Sequence, residues 1–154
     1  MTASDYRVSI EGVRPRPIAA VRARMAIECV PATFAQHLNQ VYAAARSGHV
    51  TLDGQNIFVY RAAPNGEVDI DFGVGAAGPF SQVGAVSYTE TPGGRAATTT
   101  HWGEYGGLGG AHAAVARWCR EHGHVLAGPR WEVYGHWNDD PAQRRTDVYY
   151  LLSD

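Results

Sequence analysis

The sequence predicts an α+β fold, a tandem pseudo-two-fold repeat of strand-helix-strand-strand units. The antiparallel sheet is expected to carry both helices on one face and a ligand cleft on the other. Three observations lead there. Stretches 31–46 and 108–122 place apolar residues at helical spacing. Strand-like segments precede each stretch, and two more follow it. Gly-His-Val stands at 48–50, after the first helix, and recurs at 123–125, after the second. Repeat 1 spans about residues 5–75 and repeat 2 about 82–152, and 1–154 is expected to be a single domain.

The first strand is "YRVSI", 6–10, and "PIAAVRARMAI", 17–27, reads as a second extended segment. Arg14, Arg16, Arg22 and Arg24 form the only basic cluster and read as a solvated strand edge. In helix 31–46, Phe34, Leu38, Val41, Tyr42 and Ala45 fall on one face; Pro31 suits the first turn and Gly48 the stop. Strands 56–60 and 67–74 flank the turn "APNG". The glycines sit mostly at turns and in the run 73–110, where those of "GVGAAGPF" and "YGGLGG" read as turns and helix entry, and "GGRAATTTHW", 93–102, reads as a strand. Leu108, Ala111, Val115 and Trp118 line one face of helix 108–122. His122 and His124 fit the end of that helix, where donors and positive charge are favourable. "RWEVYGHW", 130–137, and "RTDVYYLL", 145–152, are strands joined by "NDDPAQ", and Trp131, Val133, Tyr134 and Trp137 are residues a sheet buries.

Composition narrows the function classes. Of 154 residues, 45% are hydrophobic and 18% charged, which suits a globular chain with a core. A net charge of -2 gives no bulk attraction to nucleic acid, so no direct nucleic-acid binding is expected. Cys29 and Cys119 make no disulfide framework and read as free thiols in a reducing cytoplasm. No run approaches the roughly 20 apolar residues of a membrane span. His101 and His112 lack cysteines or carboxylates at ligand spacing, and no P-loop, GxSxG or strand-borne GxGxxG occurs. No metal and no cofactor is expected. Monomer and homodimer both remain open.

Glu132 is out of place among its apolar neighbours, because desolvating a carboxylate costs several kcal/mol unless something compensates it. Alternation puts Trp131 and Val133 on one face of their strand, Glu132 and Tyr134 on the other. Val148, Tyr150 and Leu152 likewise separate from Asp147 and Tyr149, and Val68, Ile70 and Phe72 from Asp69 and Asp71. The apolar sets are expected under the helices. The other sets, with Phe58 and Tyr60 as first-half partners of Glu132 and Tyr134, are expected in the cleft. The alternative is a second face that is simply solvated.

Residues 92–152 carry a denser pattern: Pro92 to Gly94, "HWGEY" at 101–105, Trp118, "EVY" at 132–134 and "TDVY" at 146–149. This pattern resembles the GyrI-like, or AraC-type effector-binding, small-molecule domain. The resemblance implies a stand-alone binding domain with a buried glutamate at Glu132, serving as the acceptor at the floor of an aromatic pocket. A carboxylate with aromatic walls suits a hydrophobic, cationic or planar ligand. Its lining is expected from Tyr134, Asp147, Tyr149, Phe58, Tyr60, Tyr105, Trp102 and His101. The family's hydrolytic branch implies a second function, opening strained cyclopropane-bearing or other electrophilic xenobiotics, with Glu132 and Tyr105 catalytic. A third is a protein-binding inhibitor module, as of gyrase.

Overall fold

The computed structural model describes residues 6–153; residues 1–5 and 154 of the expected domain lie outside them. Among the described residues, eight strands and two α-helices form two units, one made of residues 6–14 and 92–153, the other of Pro15–Thr91. All strand registers described below are antiparallel. Among the described residues no helix is long and apolar enough to cross a membrane, which says nothing about membrane-spanning strands.

The Pro15–Thr91 unit contains β2 (Pro17–Met25), α1 (Val30–Arg46), β3 (Leu52–Ala62), β4 (Val68–Ala76) and β5 (Val86–Glu90). Its strand order is β5-β2-β4-β3. Leu38, Val41 and Ala44 are the buried residues of α1, whereas Phe34, expected on the apolar stripe, is exposed but still 6.2 Å from the Phe58 ring. His37 of α1 stacks on Phe72 of β4 at 4.7 Å. Phe58 pairs with Phe72 and Tyr60 with Ile70 across β3 and β4, so all four share the face under α1. As expected, Ile70 and Phe72 are fully buried.

Asp69 and Asp71 occupy the opposite face, away from the residues expected beside them. Their partners are the arginines read above as a solvated edge. β2 is not an edge strand, since it pairs with both β4 and β5. Its register sets Arg22 across from Asp71 and Arg24 across from Asp69. Arg22 donates to Asp71 from Nε at 2.7 Å and Nη2 at 3.0 Å, and Arg61 adds a third bond at 3.1 Å. Asp71 is only 2% exposed and these donors compensate its burial.

The other unit contains β1 (Ser9–Val13), β6 (Gly94–Trp102), α2 (Leu108–Glu121), β7 (Leu126–Tyr134) and β8 (Arg145–Leu152), in the order β1-β6-β8-β7. The first strand starts later than expected and pairs with β6, not with a strand of the first half. Ala97, Val148 and Leu152 of the sheet meet Leu108, Ala111, Val115 and Cys119 of α2 in the core. Trp118 is partly buried against this core. α2 ends as expected: Gly123 takes φ +72°, His124 N–H returns to the Cys119 carbonyl at 2.9 Å, and His122 Nδ1 bonds the Trp118 carbonyl at 2.8 Å.

Register overturns the expected faces of β7. Cross-strand partners point to the same side of a sheet. Glu132 pairs with Val148 and Tyr134 with Thr146, while Trp131 pairs with Tyr149 and Val133 with Asp147. Glu132 and Tyr134 therefore share the helix-covered face with Val148 and Tyr150. Val133 does not enter that core, and Trp131 is buried on the opposite face, its ring stacked 5.1 Å from that of Tyr149. β7 also stops at Tyr134, three residues before Trp137.

Candidate functional site: a buried carboxylate at the end of an aromatic path

Three elements of one unit meet at Glu132. β7 turns its side chain toward α2, α2 brings His112, and β8 brings Tyr150. His112 sits on the turn of α2 between Ala111 and Val115, both fully buried, so it reaches the sheet. Its Nε2 lies 2.7 Å from Glu132 Oε2, and its Nδ1 lies 2.8 Å from the Tyr150 hydroxyl. Tyr134 donates to Glu132 Oε1 at 2.6 Å. An ionised carboxylate only accepts, so Nε2 carries a proton; in the neutral ring Nδ1 then accepts from Tyr150. A chain of polar groups runs Tyr150–His112–Glu132–Tyr134, and it compensates a carboxylate that is 5% exposed. Burial, with help from the Glu132 charge and against the pull of Arg130, pushes the Tyr150 phenol up to about 12.

From Glu132 the aromatic side chains lead outward. The Tyr105 ring meets Tyr134 edge-on at 5.5 Å, and Trp137 lies 6.3 Å beyond Tyr105. Exposure rises along the way, with Tyr105 at 36% and Trp137 at 64%. Arg144 places its guanidinium 3.8 Å over the Trp137 ring and 5.9 Å from that of Tyr105. These faces already hold one cation, a geometry that favours positive charge.

Of the residues expected at the site, Glu132, Tyr134 and Tyr105 come together. Asp147 and Tyr149 do not, because register places them on the other face. There Asp147 Oδ1 accepts from Thr100 at 2.7 Å and Arg145 at 3.0 Å, and burial is the main cause raising the Tyr149 phenol. Trp102 is exposed, with the Arg145 guanidinium 5.7 Å from its ring. Phe58 and Tyr60 are buried beneath α1 of the other unit.

His101 lies inside the fold at 4% exposure, with both ring nitrogens engaged. Nε2–H donates to the Glu104 carbonyl at 2.8 Å, so Nδ1 of the neutral ring accepts from Tyr6 at 2.7 Å. It pins the turn that delivers Tyr105. Gly103 there has φ +132°, and a Cβ at Gly107 would come within 3.0 Å of the imidazole, which accounts for both glycines.

The expectations omitted His112 and Tyr150 from the site and left Trp137 in a buried strand. Two polar intrusions were visible: a histidine on the apolar stripe of α2 and a glutamate in an apolar strand. Each is costly alone, and they compensate each other. Among the described residues, no group of three or more His, Cys, Asp or Glu side chains is placed to hold a metal ion.

The family profile described as the GyrI-like small molecule binding domain matches residues 6–152. Solved structures share the fold at low identity. The EcmrR C-terminal domain superposes with a TM-score of 0.75 at 19% identity, over 97% of this chain and 98% of that one. SAV2435 bound to tetraphenylphosphonium gives 0.68 at 7% identity, over 96% and 94%. A hydrolase from Listeria innocua gives 0.65 at 11%, over 96% and 92%. No functionally curated protein matches the sequence.

Proposed function

Because the chain belongs to the GyrI-like small-molecule binding domain family, we propose that it binds lipophilic cations, with Glu132 as the buried counter-charge. The observation that carries this reading is a 5%-exposed carboxylate at the inner end of the path Tyr134, Tyr105 and Trp137. Such a ligand brings apolar surface to the rings and a charge to the carboxylate. Each aromatic face under the charge adds roughly 0.5–2 kcal/mol. The fold neighbour solved with tetraphenylphosphonium supports the ligand class, since that ion is a lipophilic cation with no hydrogen-bond donor. Residues 56–60 and 130–134 would be equivalent strands of a duplicated unit; the common strand orders β5-β2-β4-β3 and β1-β6-β8-β7 support that reading.

The test is calorimetric titration of tetraphenylphosphonium into the native chain and Glu132→Gln at pH 8. Affinity should fall roughly 10- to 100-fold, the scale of one partly desolvated charge pair. Equal affinity would remove Glu132 from the site.

A second reading rests on the Glu132–His112 pair, a carboxylate bonded to an imidazole and suited to moving a proton. Glu132 would direct water at an electrophilic carbon of a strained ring, and Tyr105 would hydrogen-bond the substrate. This reading expects product by mass spectrometry from the native protein and none from Glu132→Gln, with substrate binding retained.

A further inference from the structure

We propose that His112 is an internal counter-cation whose proton competes with the ligand's charge for Glu132, so that the site accepts lipophilic cations when His112 is neutral and disfavours them when it is protonated. The inference rests on Glu132 being the counter-charge of the ligand.

His112 is bonded directly to the carboxylate that the ligand would neutralise, at 2.7 Å. It is one-fifth exposed, so protons reach it, while Glu132 beside it is almost fully buried. With His112 neutral, the pair carries one negative charge and attracts a cation. With His112 protonated, the pair is neutral, and a ligand cation meets an adjacent imidazolium. Like charges in a partly desolvated site repel strongly.

The second ring nitrogen makes the change possible without rearrangement. Its partner is the Tyr150 hydroxyl, which both donates and accepts. It donates to Nδ1 of the neutral ring and, after rotation of its hydrogen, accepts from Nδ1–H of the charged one. The phenol stays protonated throughout, since burial holds it at about 12.

The titratable and charged groups on the sheet face that His112 meets are few. β7 contributes Glu132, Tyr134 and Arg130, the last paired across the sheet with Tyr150. β8 contributes Tyr150, and β6, which also packs on α2, contributes His101 on the same face, since Thr146 pairs with both His101 and Tyr134; the His101 ring nitrogens are engaged by Tyr6 and the Glu104 carbonyl. Cys119, on the same helix, lies close enough to act on Tyr150. Burial holds Tyr150 neutral across the range in which histidine titrates. Histidine is the side chain that ordinarily changes charge between pH 5 and 8.

The probe is tetraphenylphosphonium, whose charge does not titrate, bound by the full chain between pH 5.5 and 8.0. Native affinity should rise roughly tenfold across that range, the effect of a one-unit coupling between the two charges. His112→Gln, which keeps an N–H for Glu132 but cannot take a proton, should bind about equally at both ends. Native binding at pH 6.0 should also release protons, read from the dependence of calorimetric heat on buffer ionisation enthalpy. That measurement needs no variant. If native and His112→Gln profiles are parallel, or native binding releases no protons, the competition is absent. The underlying reading fails separately: Glu132→Gln would then bind the probe as tightly as the native chain at pH 8.

Discussion

At the scale of residues, Glu132 was legible because a carboxylate in an apolar strand demands an explanation. Its partner was not, because His112 lies on a different element, twenty residues away in sequence, and only the fold brings the two together. His101 shows the opposite error: it belongs to a recognisable motif, but its work is to hold Tyr105's turn in place. His101→Phe keeps a ring in that space and strands the Tyr6 hydroxyl and the Glu104 carbonyl. Urea denaturation should show a loss of about 1–3 kcal/mol. Tyr150 has an alkaline signature. Its folded phenol titrates at about 12, above the usual value near 10, so the unfolded chain ionises first. The folded state then holds more protons across that window, and stability falls as pH rises through it. Tyr150→Phe should be less stable at pH 7, with Nδ1 of His112 left unpaired. Its further loss between pH 9 and 11 should be smaller than that of the native chain.

At the scale of elements, the misread quantity was which face of β7 meets the helix. Alternation fixes which residues go together but not the side they take. The register with β8 decides it, and register depends on contacts distant in sequence. Trp131 and Val133 are the apolar set, and the core still takes Glu132 and Tyr134 because their polar atoms are partnered there. Val148→Ala should therefore cost about 1.5–3 kcal/mol and Val133→Ala clearly less; comparable losses in urea denaturation would contradict the register. The arginine ladder makes an acid-side prediction. The Arg24 hydrogen bond holds the Asp69 carboxyl below its ordinary value, against a smaller desolvation effect. Its contribution is present above the ordinary aspartate range and is lost as pH falls through the lowered value. Asp69→Asn should accordingly show a shallower stability decline between pH 5 and 3.

At the scale of the whole molecule, both helices and most strands were readable because helical spacing and glycine-bounded turns are local signals. β5 was missed, its five residues falling within a stretch read for its glycines. The pairing of β1 with β6 was missed because nothing near Ser9 indicates a partner almost ninety residues on. The proposed function depends less on these elements than on one charge. Its most direct test is a thermodynamic cycle with two proteins, native and Glu132→Gln, and two ligands, tetraphenylphosphonium and neutral tetraphenylsilane, titrated at pH 8. If Glu132 is the counter-charge, the substitution weakens the cation and barely changes the neutral ligand, with a coupling of roughly 1.5–3 kcal/mol. A coupling indistinguishable from zero, with both ligands affected alike, would contradict the account.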